Sequence, residues 1–266
     1  MPFITNNGGL VGANATANAS FSSGVWSIPT HQQLVGNSTW PPGNYVRNNL
    51  VLSLDPGNSG SYPGTGTTWT DMSGSGYNGT LSNTTFSTAG AGSLSFNGSS
   101  STVSMPTVFS AYPFTVSMWV THDGSWDPGP TDMDQLFNMS IGGQRVSLGI
   151  VKNPGWVTGP TLMYGGTSHW SCPNPTNTSS SAWHNITWVV FGSNNSSHKI
   201  YIDGVSQTMT DNGGGHGGTA GWRIGSNSSS GEYWPGKIST VLAYNTTLTD
   251  AQVLQNFNYF RPRFGM

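Results

Sequence analysis

Few side chains in this sequence are equipped for covalent chemistry. Glycoside hydrolysis needs two carboxyl groups held roughly 5–9.5 Å apart across the scissile bond. The chain has a single glutamate, Glu232, in the loop-like stretch SSSGEYWPG, and no strand-like stretch carries two acids at a spacing of two. Asp203 and Asp250 read as turn and helix-start residues. A depolymerase would have to draw on Asp123, Asp134 or Glu232. No G-x-S-x-G elbow presents a nucleophilic serine. Cys172, the only cysteine, lies near His169 in HWSCPNP, but a lone loop cysteine is more often a bystander than a nucleophile. No histidine pair shows a zinc spacing. The expectation is a protein without catalytic residues.

Binding chemistry is better represented. Asp123, Asp127, Asp132 and Asp134 fall within HDGSWDPGPTDMDQ. Calcium takes six to eight oxygen ligands, and an acidic loop of this kind can hold it, although the spacing is not that of an EF-hand. The competing reading is a solvated loop with Asx turns. No cofactor is required; calcium is the one metal the sequence leaves room for. Trp126, Trp156, Tyr164, Trp170, Tyr233 and Trp234 sit in Gly-rich, loop-like contexts. Sugars present C–H faces that stack on such rings, and hydroxyls that pair with polar groups, so these six are the candidate glycan contacts. Loop anchoring or a subunit contact is the alternative for each. Trp119 and Trp188 read as strand residues packed in a core.

Composition excludes other partners. Only 7% of residues are charged, against about 25% in an ordinary globular protein. The net charge is −2 and the eight basic residues are scattered, so there is no stripe to track a phosphate backbone and no nucleic-acid binding is expected. No apolar run approaches the ~20 residues of a membrane helix, so no membrane insertion is expected. MPFITNNGGL lacks the features of a secretory signal, and one cysteine forms no internal disulfide. Both point to synthesis and folding in a reducing cytoplasm. Aromatic residues at 12% argue against disorder.

The elements that would position these groups are mostly short strands. Leu50, Leu52 and Leu54 alternate, as do Leu94 with Phe96, and Val103 with Met105. Phe114, Val116, Met118 and Val120 share one face of FTVSMWV; Ile186, Trp188 and Val190 share one of NITWVVF. HKIYIDG and KISTVLAYN add two more strands. Period-2 alternation broken by Gly, Asn, Ser and Pro predicts an all-β sandwich or barrel. Asn78-Gly79, Asn97-Gly98 and Asp203-Gly204 read as turns. In TLTDAQVLQNFNYF, Thr249 can cap a short helix with Asp250 in its first turn and Leu248, Val253, Leu254 and Phe257 on its apolar face. Residues 1–46 contain no charged residue and little to bury, apart from Val25, Trp26 and Trp40. They read as an extended N-terminal arm, either covering a sheet edge or anchoring the chain in an assembly.

NLVLSLDPGNSGSYPGTGTTWTDMSGSGYNGTL, SLSFNGSSSTVSMP, PFTVSMWV, WHNITWVVFGSNNSSHKIYIDGV and GKISTVLAYNTTLTDAQVLQNFN, in that order, resemble laminin-G-like, concanavalin A-like lectin jelly-roll domains over roughly residues 48–264. The resemblance implies a two-sheet antiparallel sandwich over residues 47–266 with one short C-terminal helix. It also makes Asp55, Asp71, Trp69 and Trp183 structural. The forms LDPGN and YPGTGTTW, the terminal RFG and the lead-in SGVWSIPTHQQLVGNSTWPP are similar to segments of tailed-bacteriophage virion proteins. That second resemblance implies a virion structural protein (tail fibre, tail-associated or capsid decoration) on the particle surface. It would be contacted by other virion proteins and by a host polysaccharide, and would be a homo-oligomer, with a trimer favoured.

Overall fold

A computed structural model of the chain describes residues 44–123, 133–151, 161–165, 169–175, 179, 182–192, 198–213, 221–227 and 231–266. In chain order the strands are β1 (Leu50–Leu54), β2 (Thr68–Trp69), β3 (Gly79–Ser82), β4 (Thr85–Ser87), β5 (Ser93–Asn97), β6 (Thr102–Ser104), β7 (Phe114–His122), β8 (Met133–Ile141) and β9 (Gln144–Val151). β10 (Thr161–Gly165), β11 (His169–Pro173), β12 (His184–Val190), β13 (Lys199–Ile202), β14 (Val205–Ser206), β15 (Thr210–Gly213), β16 (Arg223–Ile224) and β17 (Pro235–Tyr244) follow, before one helix, α1 (Asp250–Phe260). They form two antiparallel sheets. One runs β14-β13-β12-β7-β17-β5-β4, with β1 also on β17; the other runs β15-β11-β10-β9-β8-β16-β6-β3-β2. Of the sandwich or barrel that alternation predicts, the chain forms the sandwich, the jelly roll that the resemblance implies.

The apolar residues of alternate positions meet between the sheets. Leu52, Leu54, Leu94, Phe96, Phe114, Val116, Met118, Val120, Ile186, Trp188 and Val190 come from the first sheet. Leu81, Val103, Phe137, Leu148 and Ile224 come from the second. Trp69 lies in the same core, fully buried. Where β3 crosses β6, Gly79 stands because a Cβ there would lie 2.6 Å from Val103 Cγ1. Asn78-Gly79 is therefore a close approach and not a hairpin turn; Asn78 Oδ1 accepts from Asp71 N. Asp203-Gly204 does turn the chain, with φ of 53° and 78°, the all-positive pair a tight hairpin requires.

The outer face of the first sheet is covered. Trp119, Val189, Tyr201, Leu242 and Tyr244 pack against Val253, Phe257, Phe260 and Phe264 in a second apolar cluster. Thr249 caps α1 in a reciprocal box with Gln252, as its sequence predicts. Leu254, expected on the buried face, is 46% exposed; Asn256 takes the inward position and donates to Tyr244 Oη while its Oδ1 accepts from Val46 N. The buried face is thus rotated toward a polar anchor that holds the entering chain. Tyr45 lies on Tyr259 and Phe260, and Tyr244 Oη donates to Val46 O. Residues 44–46, assigned to the arm by sequence, therefore pack on the domain. Val25, Trp26 and Trp40 lie outside the described residues.

Candidate binding face

The register of the nine-stranded sheet aligns one continuous row across every strand. Thr68 opposes Thr80, Thr80 opposes Ser104, Ser104 opposes Arg223, and Arg223 opposes Asn138. Asn138 opposes Ser147, Ser147 opposes Gly165, Gly165 opposes His169, and His169 opposes Gly213. The adjacent row, Leu81–Val103–Ile224–Phe137–Leu148, belongs wholly to the core. Successive residues of a strand face opposite sides, so the polar row lies on the outer face.

This face has an open part and a roofed part. Thr68 and Thr80 are exposed, and Ser104 and Arg223 half-buried. Asn138 and Ser147 are fully buried, and Asn227, from the connection between β16 and β17, lies against Asn138. Asn138 Nδ2 donates to Asn227 Oδ1 at 2.7 Å, and Asn227 Nδ2 donates to Glu232 Oε2 at 2.7 Å. Arg145 Nη2 donates to Glu232 Oε2 at 2.8 Å and to Gln135 Oε1 at 3.0 Å. Gln135 in turn donates to the carbonyls of Phe137 and Leu148, beside the β-bulge between Gln135 and Phe137. Four buried polar atoms on three neighbouring strands have no partner within the protein: Arg223 Nε, Asn138 Oδ1, Ser147 Oγ and Arg145 Nε. Buried polar groups are ordinarily hydrogen-bonded; such atoms occur elsewhere among the described residues too, at the indole nitrogens of Trp69, Trp119, Trp170 and Trp222, and here four of them fall on adjoining strands.

The sequence-predicted candidates are placed differently. Trp126, Trp156, Asp127 and Asp132 lie outside the described residues. Trp234 is corrected: it is fully buried, its indole N–H donates to Thr121 O at 3.0 Å, and His122 stands edge-on to it at 5.1 Å. It has no face left for a sugar. Trp170 is also corrected from loop to strand β11, half-buried against the core. Tyr164 is in β10, in register between Leu148 and Trp170. Tyr233 is half-buried and bridges to Ser226. Among the described side chains, Trp234 is therefore unable to join Trp170 and Tyr233 in an exposed platform.

Asp123 is exposed at the end of β7, and the Asp134 carboxylate is engaged by His122 Nε2 at 2.6 Å. Among the described residues no group of three His, Cys, Asp or Glu side chains is arranged to hold a metal ion. Glu232 is held by Arg145 and Asn227, not by a second acid. Cys172 is buried in the core, and burial pushes its thiol up to about 12, where thiolate chemistry at neutral pH is suppressed. Asp71 is the structural residue its motif implies: Oδ1 accepts from Ser53 N and Ser73 N, and Oδ2 from Tyr77 N.

A family model described as the concanavalin A-like lectin/glucanases superfamily matches residues 96–254, more than half of the 266. The chain belongs to that superfamily. Solved structures agree on the fold. Domain 4 of an extracellular arabinanase from Geobacillus stearothermophilus, in complex with arabinotriose, matches at 20% identity and TM-score 0.56, over 78% of this chain and 98% of that one. The binding domain of Paraclostridial Mosquitocidal Protein 1 matches at 17% and 0.57, over 80% of this chain and 53% of that one. A Trypanosoma rangeli sialidase matches at 16% and 0.57, over 81% of this chain but only 33% of its own. A comparison with curated protein sequences found no match. The polar row of this superfamily member was missed by sequence because β8 and β9 were not singled out there. The signal exists in RVSLGIV, where Arg145, Ser147 and Gly149 alternate with Val146, Leu148 and Ile150.

Proposed function

We propose that this chain is a non-catalytic, lectin-like module of a tailed-bacteriophage virion, and that it attaches to host-surface glycan through the outer face of its nine-stranded sheet. The observation that carries the glycan part is the strand-spanning row of hydroxyl and guanidinium groups that reaches solvent at Thr68, Thr80, Ser104 and Arg223. Saccharide hydroxyls are the ligand groups that pair with such a surface, since each donates and accepts. Non-catalytic action is supported by the carboxylates themselves, with Glu232 tied to Arg145 and Asp134 to His122. The virion part is supported by the resemblance of LDPGN, YPGTGTTW and the lead-in segment. Residues 1–43 anchor the module to other virion proteins, and we favour a homotrimer.

Glycan-array screening of the purified chain, with calcium and with chelator, tests the binding claim. Saturable binding is expected, and Ser104→Trp, which fills the open half of the row, abolishes it. Binding to nothing, or binding indifferent to Ser104→Trp, refutes this face. Deletion of residues 1–43 is expected to prevent incorporation into particles while leaving the domain folded; normal incorporation removes the anchoring claim. Release of reducing ends from host capsule would overturn the non-catalytic claim.

A further inference from the structure

We propose that Arg223 makes this face selective for saccharides carrying an anionic substituent. The proposal rests on the face being the sugar-binding surface. Arg145 is paired with Glu232, Arg263 with Asp55 and Lys199 with Asp250. Among the described residues Arg47, Lys237, Arg261 and Arg223 have no carboxylate partner, and of these Arg223 stands in the polar row. Its Nη1 donates to Ser104 Oγ at 3.2 Å, its Nε is buried without a partner, and the side chain is half-buried. A guanidinium taken part-way out of water without a counter-ion is unfavourable. An anionic ligand group supplies that counter-ion, and the planar fork of N–H donors matches two oxygens of a carboxylate or a sulfate.

The surroundings fit a charged sugar better than a small free anion. Arg145 and Glu232 cancel, so Arg223 leaves the centre of the face cationic although the chain carries −2 overall. In register with Arg223 on the roofed side, Asn138 and Ser147 are fully buried and leave the ligand contacts to the open side of the row. On the other side Ser104, Thr80 and Thr68 continue the row into solvent, giving the rest of an oligosaccharide neutral hydroxyl contacts. The anion is thus placed where the open half of the row meets the roofed half.

Calorimetry on the full chain tests this with a uronic-acid oligosaccharide, its carboxyl-reduced neutral counterpart and a sulfated version of that counterpart. The wild type is expected to prefer at least one acidic ligand over the neutral one by tenfold or more, with the preference shrinking as salt is raised. Arg223→Gln is expected to bring the ratio of acidic to neutral affinity to about one; Arg223→Lys keeps part of the preference. Which acidic ligand is preferred assigns carboxylate or sulfate. Equal binding of acidic and neutral ligands by the wild type, or a preference untouched by Arg223→Gln, overturns the proposal and leaves the sugar-binding face standing. Failure of all three ligands, and of every array glycan, overturns both.

Discussion

Replacing Arg263 by Met should detach the C-terminal turn and destabilise the whole domain. Arg263 lies in a 3-10 turn, Arg261–Phe264, just past the helix. Its Nη1 bonds both oxygens of Asp55, at 2.8 and 2.7 Å, and its Nε donates to Gly90 O at 2.6 Å. Its Nη2 donates to Gly92 O and Ser239 Oγ, each at 2.9 Å. One guanidinium therefore ties the chain end to the β1 turn, to the 3-10 turn Ala89–Ala91 and to β17, where the ladder to β7 shifts register between Ile238 and Val241. Met keeps the apolar stem over Phe264 and removes all five donors.

Breaking a fully buried pair by deleting one partner costs about 3–5 kcal/mol. The Arg263 and Asp55 side chains are 19% and 23% exposed, so water recovers part of that and about 3 kcal/mol is the expected loss. For a domain of this length each kcal/mol moves the melting temperature by about 2–4 °C, giving a drop of roughly 6–12 °C. Arg263→Lys should lose nearly as much, because one ammonium cannot reproduce the fork. Urea unfolding followed by near-ultraviolet circular dichroism checks this, with Asp55→Asn and the double variant closing a cycle. A coupling of about 1–2 kcal/mol is expected between the two. A loss below about 1 kcal/mol for Arg263→Met, or strict additivity with Asp55→Asn, would refute the staple.

Three further outcomes follow from buried groups. His198 is buried, its Nε2 donates to Gly192 O at 2.8 Å, and desolvation holds its pKa below the usual 6.5 against the opposing backbone bond. The unfolded chain then takes up the proton first, so the stability from this site is complete above 6.5 and is lost as pH falls below it; the urea midpoint should drop less between pH 7 and pH 5 in His198→Gln than in the wild type. Gly225 has φ +76° and a Cβ there would lie 2.2 Å from Phe96 Cε1, so Gly225→Ala should cost roughly 2–4 kcal/mol in thermal unfolding, and a near-neutral result would mean Phe96 moves freely. Cys172 should resist a thiol reagent at pH 8 in the folded protein and react at once in denaturant; rapid native labelling would contradict its burial.

The fold was legible because apolar residues alternate wherever only one sheet face is dry. β7 shows the limit of that signal. Phe114, Val116, Met118 and Val120 were readable as core, yet all nine residues of the strand are buried, since α1 and the C-terminal turn cover Trp119 from the other side. Local composition misled most at the aromatics. Trp170 and Trp234 stand among Gly, Pro, Ser and Asn and read as loop residues, but a residue's face is fixed by its strand partner. Trp170 opposes Tyr164 in the core-facing register, and Trp234 is held by the Thr121 carbonyl of a strand 113 residues earlier. No window of sequence contains that partner. The same limit hid Arg223: its two-residue strand is too short to show a period, and its place beside Ser104 and Asn138 exists only through pairing.

The two outer faces of the sandwich then explain where binding belongs. Polar residues on the outer face of the eight-stranded sheet satisfy one another: Thr187 Oγ1 donates to Ser117 Oγ at 2.8 Å, Asn185 Nδ2 donates to Ser117 Oγ at 3.1 Å, and Thr115 Oγ1 donates to Thr246 O and accepts from Leu248 N. That face is closed by the helix, which packs on Trp119. The nine-stranded sheet inverts this arrangement. Its outer row is as polar, but its central atoms are left without partners and its flank opens to solvent. The two outer faces therefore differ in kind, and on the proposed function the helix and entering chain lie on the attaching side and the polar row on the recognising side.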